Sequence, residues 1–133
     1  MEKLLSSSII LILIMTGILS GCTNTETDNS NYKAPVVPDI KFYEVVYNVT
    51  GTAESVSVTF ENYGGGTSQW DTAYLPWDYP IYGMQNGDFV YISAQNNGEY
   101  GSVTSRIYVD GELFKTTTSY GAYVIATASG RLP

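Results

Sequence analysis

From Phe42 onward, apolar and polar residues alternate with a period of two, and no stretch shows helical spacing. That restricts the region to pleated sheet with one face in water, the habit of antiparallel pairing. Val45, Tyr47 and Val49 form one row, with Glu44, Val46, Asn48 and Thr50 opposite. After Gly51-Thr52, the row Val56, Val58, Phe60 alternates with Ser55, Ser57, Thr59 and Glu61. Gly64-Gly65-Gly66, Asn86-Gly87-Asp88 and Asn96-Asn97-Gly98 are turns, because Gly and Asn tolerate the left-handed backbone. A strand is expected from Asp88 to Ala94, and another from Ser102 to Val109 with Val103, Ser105, Ile107 and Val109 on one face. Asp110-Gly111 signals a two-residue hairpin into Glu112–Thr116. A last strand, Ala122 to Ala128, carries Ala122, Val124, Ala126 and Ala128 on one face. The pattern is all-β and predicts an immunoglobulin-like antiparallel β-sandwich of six to seven short strands.

The irregular part is Thr67 to Gln85, where Pro76 and Pro80 exclude a central strand. Two Trp and three Tyr fall between Trp70 and Tyr82. Trp70, Trp77, Tyr79 and Tyr82 are the candidate partner- or ligand-binding residues, since loop aromatics anchor partners or stack on sugar rings. The competing role is to plug an open end of the sandwich. Trp70 and Trp77 are expected to plug, and Tyr79 and Tyr82, flanking a proline, to face outward.

Ahead of this domain stand Lys3, the apolar run Ile9 to Ile14, and then Leu19-Ser20-Gly21-Cys22, which ends on the only cysteine. A basic start, a short apolar core and small residues before a cysteine make a lipobox. The apolar run is shorter than the ~20 residues of a spanning helix. The expectation is a signal peptide over 1–21, cleaved to leave Cys22 as a diacylglyceryl-modified N-terminus. Two acyl chains suffice for stable attachment. Residues 22–40 would then be a disordered tether, reaching on the order of 20–25 Å, and 41–133 the β-domain. The protein would be extracytoplasmic and lipid-anchored to the cell membrane.

The 13 acidic and 6 basic residues give a net charge of −7, which argues against nucleic acid and against anionic headgroups. There is no histidine, no nucleophile motif and no alternating Asp-x-Asp loop, so no enzyme activity, metal or cofactor is expected. Asp71 and Asp78 flank the aromatic segment, but nothing in the spacing fixes their separation as acid–base chemistry requires. Asn48-Val49-Thr50 is a glycosylation sequon at an outward strand position, which makes Asn48 a candidate modification site.

Three segments resemble the MmpS family, small membrane-anchored proteins of mycobacteria and relatives that accompany large lipid and siderophore exporters. Tyr47-Asn48-Val49-Thr50-Gly51-Thr52-Ala53 with the following SVSVTF strand is similar to that family's YxVTGxA…VTY opening. Leu75-Pro76-Trp77 is similar to its LPW segment, and the run from Ser102 to Gly111 to its SVTCxIxVDG strand and turn. The matches span Tyr47 to Ala126. The resemblance implies an immunoglobulin-like sandwich and a transport accessory role. It also implies that Ser105 and Ala126 stand where the family has a cysteine pair, and that the lipobox replaces the family's usual transmembrane helix.

Two functions follow as expectations. The first is a non-enzymatic accessory or adaptor of a polytopic transporter or envelope complex. The second is a cell-surface binding module for glycan or envelope polymer, with the aromatic segment as its platform.

Overall fold

The computed structural model describes residues 33–133. The lipobox, with Cys22, and most of the expected tether lie outside the described residues. Residues 33–41 are exposed and without regular structure. Eight strands follow: β1 Phe42–Gly51, β2 Val56–Glu61, β3 Thr67–Ala73, β4 Trp77–Gln85, β5 Phe89–Asn96, β6 Ser102–Val109, β7 Glu112–Tyr120 and β8 Ile125–Arg131. They form two antiparallel sheets, with strand order β4-β1-β6-β7 in the first and β3-β2-β5-β8 in the second.

The alternating rows become the core because a strand presents every second side chain to the facing sheet. Val45, Tyr47 and Val49 from the first sheet meet Val56, Val58, Phe60, Val90 and Ile92 from the second, all fully buried. Asp110 and Gly111 have φ of 49° and 82°, as a primed two-residue hairpin requires. The Asp110 carboxylate also accepts a hydrogen bond from the Glu44 amide at 2.9 Å, across a bulge in β1.

Three expectations need correction. There are eight strands rather than six to seven, because the segment read as irregular is two edge strands. An edge strand needs hydrogen bonds on one side only, so Pro80 is tolerated opposite Val46. The cis Leu75–Pro76 bond lies in the turn that carries the chain from one sheet edge to the other. β7 runs on past Thr116 to Tyr120. β8 starts at Ile125 rather than Ala122, because Gly121 and Tyr123 take positive φ in a turn and leave Ala122 exposed.

The antiparallel order sorts the loops. One end collects the turns 52–55, 74–76, 97–101 and 121–124. The other holds the start of β1, the turns 62–66, 86–88 and 110–111, and the C-terminus. At the first end the backbones close tightly. The Thr52 and Ala53 amides both donate to the Ser102 carbonyl at 3.1 Å. A Cβ on Gly51 would overlap that carbonyl, and φ there is 146°, which accounts for glycine in the VTGTA segment.

Candidate functional site

β3 and β4 place the four predicted aromatics on two different edges and in different environments. Trp77 is only 9% exposed and packs on Phe60, with ring centroids 5.5 Å apart. Tyr79 stacks on Trp77 at 6.0 Å and meets Phe60 at 4.6 Å. Trp70 touches Trp77 edge-on at 6.1 Å and stays 49% exposed. Phe60 in turn meets Tyr47 in the core at 5.6 Å. Three of the four thus form one aromatic chain that seals the β3/β4 side, while Tyr82 points outward and is exposed.

Trp77 plugs as expected and Tyr82 faces out as expected. Trp70 does half of each. Tyr79 differs: it stands opposite Tyr47 in the β1–β4 register, so the pleat turns its ring inward.

Asp71 lies on β3 and Asp78 on β4, in different sheets, and each carboxylate is engaged by an amide. The Gln69 amide donates to Asp71 at 2.8 Å and the Asn48 amide to Asp78 at 2.7 Å. Asn48 also accepts from the Arg106 guanidinium at 3.1 Å, and Arg106 donates to Thr50 at 2.7 Å. The Asn48 nitrogen is therefore held within a polar row across the middle of the first sheet. A glycan attached there in the folded domain would break that row. Among the described residues no group of three or more His, Cys, Asp or Glu is placed to hold a metal ion.

Two buried polar contacts tie the sheets together. The Tyr47 hydroxyl accepts from the Tyr91 amide at 3.4 Å, and its pKa is pushed up to about 12, mainly by burial. The amide bond opposes that shift and the Glu61 charge adds to it. Ser105, fully buried on β6, donates to the Ala126 carbonyl on β8 at 2.8 Å. The two positions where the resemblance implied a lost cysteine pair therefore face each other between the sheets.

Sequence reasoning missed a surface that only the strand register assembles. Pro80, Val46, Tyr108 and Leu113 stand opposite one another on β4, β1, β6 and β7, and make an apolar row across the outer face of the first sheet. Tyr82 lies one row away, opposite Glu44. The available signals were Val46 and Tyr108, apolar residues at positions the alternation assigns to water.

The fold is a two-sheet antiparallel β-sandwich with a sealed aromatic edge and an apolar row on the outer face of its first sheet. The model of the Mycobacterium membrane protein family matches residues 8–128, and the chain belongs to that family. This is the MmpS family, membrane proteins that are generally non-enzymatic transporter accessories. No curated protein matches the chain. Among the described residues no helix is long and apolar enough to cross a membrane.

Proposed function

We propose that the protein is an extracytoplasmic, lipid-anchored accessory subunit that docks on a polytopic membrane transporter through the outer face of its first sheet. Its immunoglobulin-like domain, over 41–133, would stand on the tether 22–40 once the signal peptide 1–21 is removed at Cys22. The observation that carries this reading is the row Pro80–Val46–Tyr108–Leu113 with Tyr82 beside it, an apolar stripe on a face otherwise built of Thr, Asn, Arg, Asp and Glu. Half-exposed Val46 and Tyr108 continue the exposed Pro80 and Leu113, and apolar surface joined in this way suits a protein contact. Family membership supports a transporter as the partner. Crosslinking the full chain in its own membranes tests the reading. A polytopic transporter in the product supports it, and recovery of wall or surface-layer material alone sinks it. Cys22 is tested separately: labelling with a clickable palmitate analogue should be lost in Cys22→Ala.

The glycan-module alternative rests on Trp70, the one tryptophan with open ring surface. It predicts a shift of tryptophan fluorescence when envelope polysaccharide is added, abolished by Trp70→Phe.

A further inference from the structure

Among the described residues, the end of the sandwich opposite the start of β1 carries four exposed tyrosines, and its turns carry no cation. Tyr74, Tyr100, Tyr120 and Tyr123 are 73%, 82%, 77% and 54% exposed. The turns at this end, 52–55, 74–76, 97–101 and 121–124, contain Glu54 and Glu99 but no Lys or Arg. The cations of the β-domain lie elsewhere: Lys41 precedes β1, Lys115 and Arg131 lie toward the end where β1 starts, and Arg106 is bonded to Asn48 and Thr50.

The surface is held rigidly. The side-chain nitrogen of fully buried Asn96 donates to the carbonyls of Tyr100 and Gly121, each at 2.8 Å. The Gly121 amide donates to the Gly101 carbonyl at 2.9 Å, and the Tyr123 amide to that of Gly98 at 3.0 Å. These bonds stitch the loops 97–101 and 121–124 together, and the Asn97 amide, donating to the Ser55 carbonyl at 3.1 Å, ties in the loop 52–55. Between 52–55 and 97–101 lies a concavity of about 420 Å³ lined by Thr52, Glu54, Glu99 and Tyr100.

Tyr123 gives an independent sign of use. It sits at φ 53°, where a bulky side chain is strained and glycine is at ease. Its ring, more than half exposed, recovers little of that cost through packing. Backbone strain at an exposed aromatic is of the kind that clusters at ligand clamps and contact sites.

We propose that this tyrosine-lined end docks a lysine- or arginine-bearing segment of a partner protein. The cationic heads would sit between the Glu54 and Glu99 carboxylates and the Tyr100 ring, with Tyr120 and Tyr123 covering the aliphatic stems. Charge complementarity selects this occupant. Carboxylates with nearby aromatic faces and no competing cation attract guanidinium and ammonium groups through both ion pairing and the ring quadrupole. The inference rests on the accessory reading for the partner being a protein, and adds a second contact beyond the apolar row.

The test places p-benzoylphenylalanine at position 100, 120 or 113 of the full chain in native membranes, with position 93 on the opposite sheet as control. The expected product at 100 and 120 contains a partner peptide bearing Lys or Arg. Its yield should fall about fivefold or more when Glu54→Gln and Glu99→Gln are combined, or when salt is raised about tenfold. Tyr123→Gly should leave the thermal midpoint unchanged or raised while capture falls. Capture of a peptide without basic residues, of polysaccharide or of a second copy overturns the proposal, as does capture insensitive to both salt and Tyr123→Gly. Crosslinking at 113 but not at 100 or 120 overturns it and leaves the accessory reading standing; no product at any position sinks both.

Discussion

The two sheets turn unlike faces to the solvent. On the second sheet, Ser57, Thr59, Ser93, Gln95, Thr127 and Ser129 form a polar middle, with the exposed apolar Phe89 and Ile125 at opposite ends of the β5–β8 pair and Tyr91 beside Phe89. The first carries three rows of different chemistry: the apolar row Pro80–Val46–Tyr108–Leu113, the polar row Asp78–Asn48–Arg106–Thr116, and a row of Thr50, Thr104 and Thr118. Both inner faces are built alike, so folding alone does not call for the contrast. The second sheet's apolar residues form no row across its strands. The first sheet's apolar row crosses all four strands, which is why the proposed docking surface is placed there.

The comparison assumes one rigid body with two independent outsides, and locking the sheets together tests that assumption first. A Ser105→Cys, Ala126→Cys pair closes a loop of roughly twenty residues and should add about 3 kcal/mol, less the lost Ser105–Ala126 hydrogen bond. The thermal midpoint should rise in the oxidised form only, with partner capture unchanged. Failure to oxidise in the folded state would mean the Cα atoms are too far apart. Lost capture in a properly oxidised variant would mean the docking face depends on sliding between the sheets.

Tyr47 probes the same joint chemically. Its pKa of about 12 lies above the ordinary value of 10, so between the two the unfolded chain has released a proton that the folded chain keeps. Stability is therefore full below pH 10 and declines as pH rises, by roughly 2 kcal/mol at pH 12. Chemical denaturation midpoints between pH 9 and about 12 should show this slope, and Tyr47→Phe should flatten it. A slope unchanged in that variant would assign the loss to other tyrosines.

How much of this was legible in the chain depends on whether the information is local. The rows Val45/Tyr47/Val49, Val56/Val58/Phe60 and Val103/Ser105/Ile107 could be read directly, because strand alternation is a property of consecutive residues. β4 also alternates, with Trp77, Tyr79 and Ile81 turned inward against Asp78, Pro80 and Tyr82. Its proline nonetheless imitates a loop, because sequence does not reveal which strands lie at an edge. The apolar row has no one-dimensional signature at all: its members are scattered from Val46 to Leu113 and meet only through three separate registers. The tyrosine-lined end is of the same kind, gathered from turns far apart in sequence.

Charging the two outsides in turn sharpens the comparison most directly. Val46→Lys or Leu113→Lys should cut partner capture about tenfold, near 1.4 kcal/mol, because a lysine stranded against an apolar partner is left unpaired. The thermal midpoint should barely move for Leu113→Lys, which is exposed, and should fall modestly for Val46→Lys, which is half-buried on a central strand. Ser93→Lys and Thr127→Lys on the other sheet should change neither quantity. Equal losses on both faces would erase the distinction and point to a partner that wraps the domain.

The smallest expected effect lies in the polar row between these surfaces. Asn48→Ala removes the bridge between Asp78 and Arg106, whose contacts are only partly sheltered from water. Hydrogen bonds of that kind contribute about 1 kcal/mol or less each. A drop of that order in denaturation free energy, with capture intact, would make Asn48 an organiser of the sheet. If capture fell instead, the docking face would extend beyond the apolar row into the polar one. The same variant bears on the sequon: a mass shift abolished by Asn48→Ala would mean that sugar is attached before β1 pairs with β4 and β6, because afterwards the amide is already taken.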